Sequence, residues 1–160
     1  MANAIHQAIH ELLDRHAISY RSLHHEPTYT SEQSAKARGE SVKIGGKALV
    51  IQTGDVNRLF VMSAALKLDS GAMRRKFAVR RARFATREEL MTLTGLVPGC
   101  VPPFGRPILP FDLYVDESIV ANDRIAFNAG SLTDSIIMSV DDYIRVAQPA
   151  EVFRFSLANT

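Results

Sequence analysis

The sequence predicts a mixed α+β domain, and three observations carry that prediction. Two apolar runs, KALVIQT and RLFVMSA, flank the turn tetrapeptide GDVN and read as a β-hairpin. Segments between such runs carry helix start and stop chemistry: Thr30 with Gln33 and Gly39, then Thr86 with Glu89 and Gly95. Strands and helices are interspersed, yet the hairpin and a later short connection between strands argue against a purely parallel sheet.

The elements follow in order. Residues 3–16 form a first helix, because Ile5, Ile9, Leu12 and Leu13 recur at helical spacing along one stripe. A turn or short extended piece runs through Tyr20 and Leu23 to HHEPTYT, where Pro27 stops any helix. SEQSAKAR is a short second helix between the Thr30 cap and Gly39. Neither hairpin strand alternates cleanly, which implies cover on both faces. Asp69 caps SGAMRRKF, the short strand RARFA follows, and REELMTLT ends at Gly95. After GLVPGCVPPFG the chain returns to a strand in ILPFDLYVDE; VANDRIAFNAG is a turn and strand, SLTD a polar turn and SIIMS a strand. Ser139 opens the helix VDDYIRVA, Pro149 interrupts it, and EVFRFS closes as a strand.

A length of 160 residues fits one domain, residues 1–160, with no repeat, linker or low-complexity segment. Hydrophobic residues at 46% and charged residues at 22% exclude wholesale disorder. The formal charge of +2 is too small to demand a nucleic-acid partner by itself. Cys100 is the one cysteine, so no internal disulfide is possible. The first residues read as an amphipathic helix rather than a signal peptide, and no apolar run approaches the ~20 residues a bilayer requires. The expectation is a cytoplasmic protein without a membrane partner.

Several groups invite chemistry. Residues 95–105, GLVPGCVPPFG, hold three glycines and three prolines, a pattern that presents fixed main-chain amides instead of reactive side chains. A tight connection between two elements fits that segment equally. Lys47, in GGKALVIQT, stands at the mouth of an apolar strand after two glycines and can project into a cleft as a compact cation; a strand-end lysine reaching water fits the same residues. RRKFAVRRAR places Arg74, Arg75, Lys76, Arg80, Arg81 and Arg83 within ten residues, suited to a nucleic-acid backbone or to a solvated helix end and edge strand. Gly130, Ser131, Thr133 and Asp134 form a small polar corner that can line a pocket or simply make a turn. His6 and His10 share a helix face and read as surface residues, with no ligand pattern that indicates a metal. Cys100 reads as a small apolar filler, since no histidine follows residue 25 to act as its base.

Taken together, four stretches resemble the YbaK/prolyl-tRNA-synthetase-associated editing domain family over roughly residues 20–156. They are HHEPTYTSEQSA, GGKALVI, GLVPGCVPPFG and AGSLTDSIIMSVDDYI, and the third carries the family's G-x-x-x-G-x-x-x-P-x-G pattern on Gly95, Gly99, Pro103 and Gly105. The resemblance implies a mixed, largely antiparallel, barrel-like sheet flanked by helices. It implies a free-standing deacylase that hydrolyses the ester between a wrong small amino acid and the terminal adenosine of a tRNA, most often tRNA for proline, without a cofactor. The family's lysine falls on Lys47 and its glycine-rich loop on Gly95–Gly105.

On that resemblance Lys47, the Gly99 backbone and Asp134 are the candidate catalytic groups. Gly95, Pro98, Cys100, Gly105, Gly130 and Ser131 would contact substrate, and Arg74, Arg75, Lys76, Arg80 and Arg81 the tRNA. The implied partners are the aminoacyl-tRNA acceptor end and, as a recruiting synthetase, prolyl-tRNA synthetase. The chain departs from the family at Leu23, where an aromatic is usual, and at Asn128 or Ala129, where the synthetase-embedded domains place a histidine. Alanine, cysteine, serine and threonine all remain open as the acyl group. A non-catalytic module that binds a tRNA end or a protein is the alternative reading.

Overall fold

The computed structural model describes residues 2–159 of the chain. In chain order, α1 (Ala2–Arg15) and β1 (Tyr20–His24) lead to α2 (Ser31–Arg38), a 3-10 turn and the hairpin of β2 (Gly46–Thr53) with β3 (Val56–Ser63). Then come β4 (Lys67–Leu68), α3 (Ser70–Phe77), β5 (Ala82–Phe84) and α4 (Arg87–Thr94). After the glycine-proline loop lie β6 (Leu113–Asp116), α5 (Glu117–Val120), β7 (Arg124–Asn128), β8 (Asp134–Ser139), α6 (Val140–Ala147), β9 (Glu151–Phe153) and β10 (Ser156–Leu157). The expected caps set the helix ends: Thr30, Asp69 and Ser139 each accept an N–H of the first turn, and Thr86 with Glu89 forms a reciprocal capping box.

The main sheet has the order β5-β2-β3-β6-β9, antiparallel across β5-β2-β3 and parallel across β3-β6-β9. Successive strand residues point to opposite faces, and both faces are covered. Leu59 and Val61 of β3 pack into a larger cluster with Ile9, Leu13, Phe127 and Tyr143, whereas Phe60 and Met62 pack with Met73 and Phe155. Two cores on one sheet explain the unbroken apolar runs of β2 and β3. A second, antiparallel sheet has the order β1-β8-β7, and β10 pairs with β4.

The sheets meet where β2 begins. A parallel bridge joins Gly45 to Ala126, and a Cβ on Gly46 would stand 2.6 Å from the Ile125 side chain. Only glycine permits that approach. The sheets do not close on one another, so the barrel-like form implied by the resemblance is an open one.

Three local expectations are corrected. The strand foreseen over ILPFDLYVDE is confined to Leu113–Asp116, because Pro107 and Pro110 lack the N–H a ladder needs and Arg106, Ile108 and Leu109 bond within the segment. EVFRFS splits into β9 and β10, since the Phe155 N–H is taken by the buried Asp116 carboxylate at 2.6 Å. His6 and His10 are half-buried, not surface residues: His6 Nδ1 lies 2.9 Å from the Ala129 carbonyl, and His10 bridges His6 and the Tyr20 hydroxyl.

Candidate active site

A cavity of about 430 Å³ opens where α2, the start of β2 and the glycine-proline loop converge. Lys47 reaches it from β2, where it pairs with Met62 across the hairpin. Its side chain is exposed and, among the described residues, makes no ion pair. Pro98, Gly99 and Val101 form the loop wall, and Arg38 with Ser34 the α2 wall. Among the described residues the lining thus holds two cations and no carboxylate.

Gly99 sits at φ 91°, a conformation that side chains resist, and its carbonyl accepts a hydrogen bond from Asn128 Nδ2 at 2.7 Å. The Cys100 N–H is spent on the Val97 carbonyl, whereas the Gly99 and Val101 amides have no hydrogen-bond partner among the described residues. The far end of the loop is held by Tyr143, whose buried hydroxyl donates to the Pro103 carbonyl at 2.6 Å. Fixed, unspent amides beside an exposed ammonium are the kind of donor set that stabilises a developing oxyanion.

Beneath the loop runs a polar relay. Arg38 is buried, with Nε donating to Ser135 Oγ and one terminal nitrogen to Asn128 Oδ1, each at 3.0 Å. Burial draws its guanidinium down to about 10. His25 Nε2 closes the relay on Ser135 Oγ at 2.8 Å.

The model of the aminoacyl-tRNA editing domain matches residues 25–146. The chain belongs to that family. It is 35% identical over 150 residues to the multifunctional Ser/Thr-tRNA deacylase ProXp-y of Escherichia coli K12, covering 90% of this chain and 89% of that one. It is 24% identical to the prolyl-tRNA editing protein ProX of Acetoanaerobium sticklandii, over 89% of this chain and 90% of that one. A crystal structure described as a candidate trans-editing enzyme for prolyl tRNA synthetase superposes with a TM-score of 0.81 at 23% identity, covering 96% and 97% of the two chains. That last likeness establishes the fold. The hydrolase assignment stands, since the family is one of aminoacyl-tRNA editing domains and the Escherichia coli relative is named a tRNA deacylase.

Within this editing domain the residues singled out by sequence fall into separate places. Lys47, Pro98 and Gly99 share the cavity. Gly95 is the left-handed cap of α4, and Gly105 packs against the Phe111 carbonyl; neither lines the cavity. Cys100 is buried in the larger apolar cluster, and burial pushes its thiol up, which disfavours the thiolate. Gly130 and Ser131 lie in the β7–β8 corner, outside the lining. Asp134 opens β8 and accepts from His24 Nδ1 at 2.9 Å and Thr133 Oγ1 at 3.1 Å. Burial raises its carboxyl, but the His24, Ser131 and Thr133 hydrogen bonds together hold it below the usual carboxylate range.

The basic run is exposed and lies apart from the cavity. Arg74, Arg75 and Arg80 border a shallow concavity of about 340 Å³ with Gly71 and Val79. Lys76 pairs with Glu151, Arg83 with Glu89, and the Arg81 carbonyl accepts the Gly54 N–H. Among the described residues no group of three metal-ligating side chains converges, and no helix is long and apolar enough to cross a membrane.

Arg38 is the site residue that sequence reasoning missed. As the last residue of a polar helix before its cap glycine it reads as an exposed complement to the helix dipole. The signal that was available is that Ser34, Ala35 and Arg38 share one helical face, and those three are the buried residues of α2.

Proposed function

We propose that this chain is a free-standing trans-editing deacylase that hydrolyses the ester of a small amino acid mischarged onto tRNA, with tRNA for proline as its substrate. The observation that carries the reading is the shared cavity: among the described residues, an unpaired lysine, two unspent loop amides and no carboxylate surround one space. Water attacks the ester carbonyl, Lys47 and the Gly99 and Val101 amides take the developing oxyanion, and the acyl–oxygen bond breaks. The ribose oxygen leaves with a proton from the water, directly or through the neighbouring ribose hydroxyl. No protein nucleophile is needed, in keeping with the buried Cys100.

Arg74, Arg75 and Arg80, with Lys76 and Arg81 alongside, give an exposed basic surface for the acceptor stem. The deacylase name of the Escherichia coli relative supports the reaction, and the prolyl-tRNA editing name of the Acetoanaerobium sticklandii relative supports the tRNA. The test is a panel of tRNA for proline charged with alanine, cysteine, serine or threonine, followed for ester loss, beside the cognate prolyl ester. Turnover of at least one mischarged form above the cognate is expected. Binding without ester loss would assign the non-catalytic module instead.

A further inference from the structure

We propose that His25 is a positioning residue for deacylation: it accepts the hydrogen bond of the Ser135 hydroxyl and so keeps the Asn128 amide aligned on the Gly99 carbonyl. The inference rests on the deacylase reading and deepens it. His25 Nδ1 lies 2.8 Å from the Glu26 carbonyl, an oxygen that can only accept, so Nδ1 carries the ring proton. On the neutral ring Nε2 is then a bare acceptor, and it faces Ser135 Oγ at 2.8 Å. Ser135 is fully buried, and its oxygen already accepts from Arg38 Nε at 3.0 Å.

The hydroxyl proton of Ser135 has two acceptors within reach: His25 Nε2 at 2.8 Å and Asn128 Oδ1 at 3.3 Å. The backbones around it are pinned. Asn128 and Ser135 sit opposite each other across β7 and β8, and the His25 N–H donates to the Thr133 carbonyl at 2.8 Å. With His25 in place the proton goes to the closer acceptor, and Arg38 holds Asn128 Oδ1 at 3.0 Å. Without an acceptor at residue 25 the hydroxyl turns to Oδ1, because leaving it buried and unpaired is costly. Asn128 is then drawn by two donors at once, away from the geometry in which Nδ2 holds the Gly99 carbonyl at 2.7 Å. That carbonyl belongs to the peptide between Gly99 and Val101, whose amides are free among the described residues, so a tilt there reaches both oxyanion donors. His25 does not line the cavity and acts only through this chain of contacts.

The experiment compares His25→Leu, which removes the acceptor, with His25→Gln, whose side-chain oxygen can replace it, on the mischarged tRNA that the wild-type chain hydrolyses fastest. His25→Leu is expected to lower kcat about tenfold with KM held within about twofold, and His25→Gln to recover most of the rate. In an Asn128→Asp background His25→Leu is expected to cost less than about twofold more, because the link is already cut. Equal rates in His25→Leu and wild type, or losses that simply multiply in the double variant, would overturn the proposal. A His25→Gln variant as slow as His25→Leu would do the same. If His25→Leu does not fold, His25→Ala takes its place with the same criteria. The Asn128 side-chain amide resonance gives a readout apart from activity. It should shift in His25→Leu and return toward its wild-type position in His25→Gln; an unmoved resonance counts against His25 equally. Should the folded wild-type chain hydrolyse no member of the mischarged panel, the deacylase reading fails and this proposal fails with it. Unchanged turnover in His25→Leu would leave that reading intact and remove only this one.

Discussion

The Asn128 side chain joins the two walls of the cavity: its Nδ2 donates to the Gly99 carbonyl at 2.7 Å, and its Oδ1 accepts from Arg38 at 3.0 Å. The Arg38 contact fixes which way the amide points, so the Gly99 peptide is oriented by a buried cation it never touches. Replacing Asn128 with Asp keeps a partner for Arg38 and sets a carboxylate oxygen against the Gly99 carbonyl. Single-turnover deacylation by Asn128→Asp is expected to slow about tenfold or more, with the thermal midpoint nearly kept.

Lys47 tests the opposite wall. It is exposed and unpaired among the described residues, so Lys47→Ala is expected to change unfolding free energy by less than about 0.5 kcal/mol. Deacylation should fall about a hundredfold, the scale of a lost oxyanion donor. Urea denaturation and a rate measurement on the same sample separate the two effects.

The basic surface makes a different prediction. Arg74 and Arg75 are exposed on α3 beside Arg80. The double change Arg74→Gln with Arg75→Gln should weaken tRNA binding and flatten the plot of log affinity against log salt by roughly one to two, as fewer counterions are released. The rate on saturating tRNA should hold.

A pH effect on stability follows from His10. Burial, then the charge of neighbouring His6, lowers its imidazole below 6.5, against the pull of Asp14 and Asp134. The unfolded chain then binds the proton more readily than the folded one, so stability rises with pH through this window and is lost as pH falls below about 6.5. The thermal midpoint should drop between pH 7.5 and 5.5, and His10→Gln should reduce that drop.

Asp116 is fully buried and accepts hydrogen bonds from the Ser118 and Phe155 amides and the Ser156 hydroxyl. Asp116→Ala strands those donors at the junction of β6, α5 and the C-terminal strands. A loss of about 3 kcal/mol in chemical denaturation is expected, and Asp116→Asn should recover part of it.

The helices and hairpin were legible in the sequence because their signals are local. Thr30, Asp69, Thr86 and Ser139 cap within three residues of themselves, and the Gly54–Asp55 half of GDVN turns the hairpin in place, with Val56 and Asn57 already paired in β3. The pairing of β1 with β8 was not legible, because Tyr20 meets Met138 only through tertiary packing. The site divides along the same line. Lys47, Pro98 and Gly99 drew attention by residue type and spacing, and they share a cavity. Arg38 and Asn128 look like a helix-end cation and a strand-end amide; what makes them notable is the burial and the relay between them. Conversely, Ser131 and Asp134 looked like pocket residues but bond with Thr133 and His24 outside the lining.

The hydroxyl of Tyr143 gripping the Pro103 carbonyl has a consequence for how this molecule can be dissected. The residues around the cavity end at Asn128, so a fragment stopped before α6 would contain every one of them. It would nevertheless lack the strut that braces the rim from behind. The working surface of this protein is therefore owned by its last third as much as by the segments that form it.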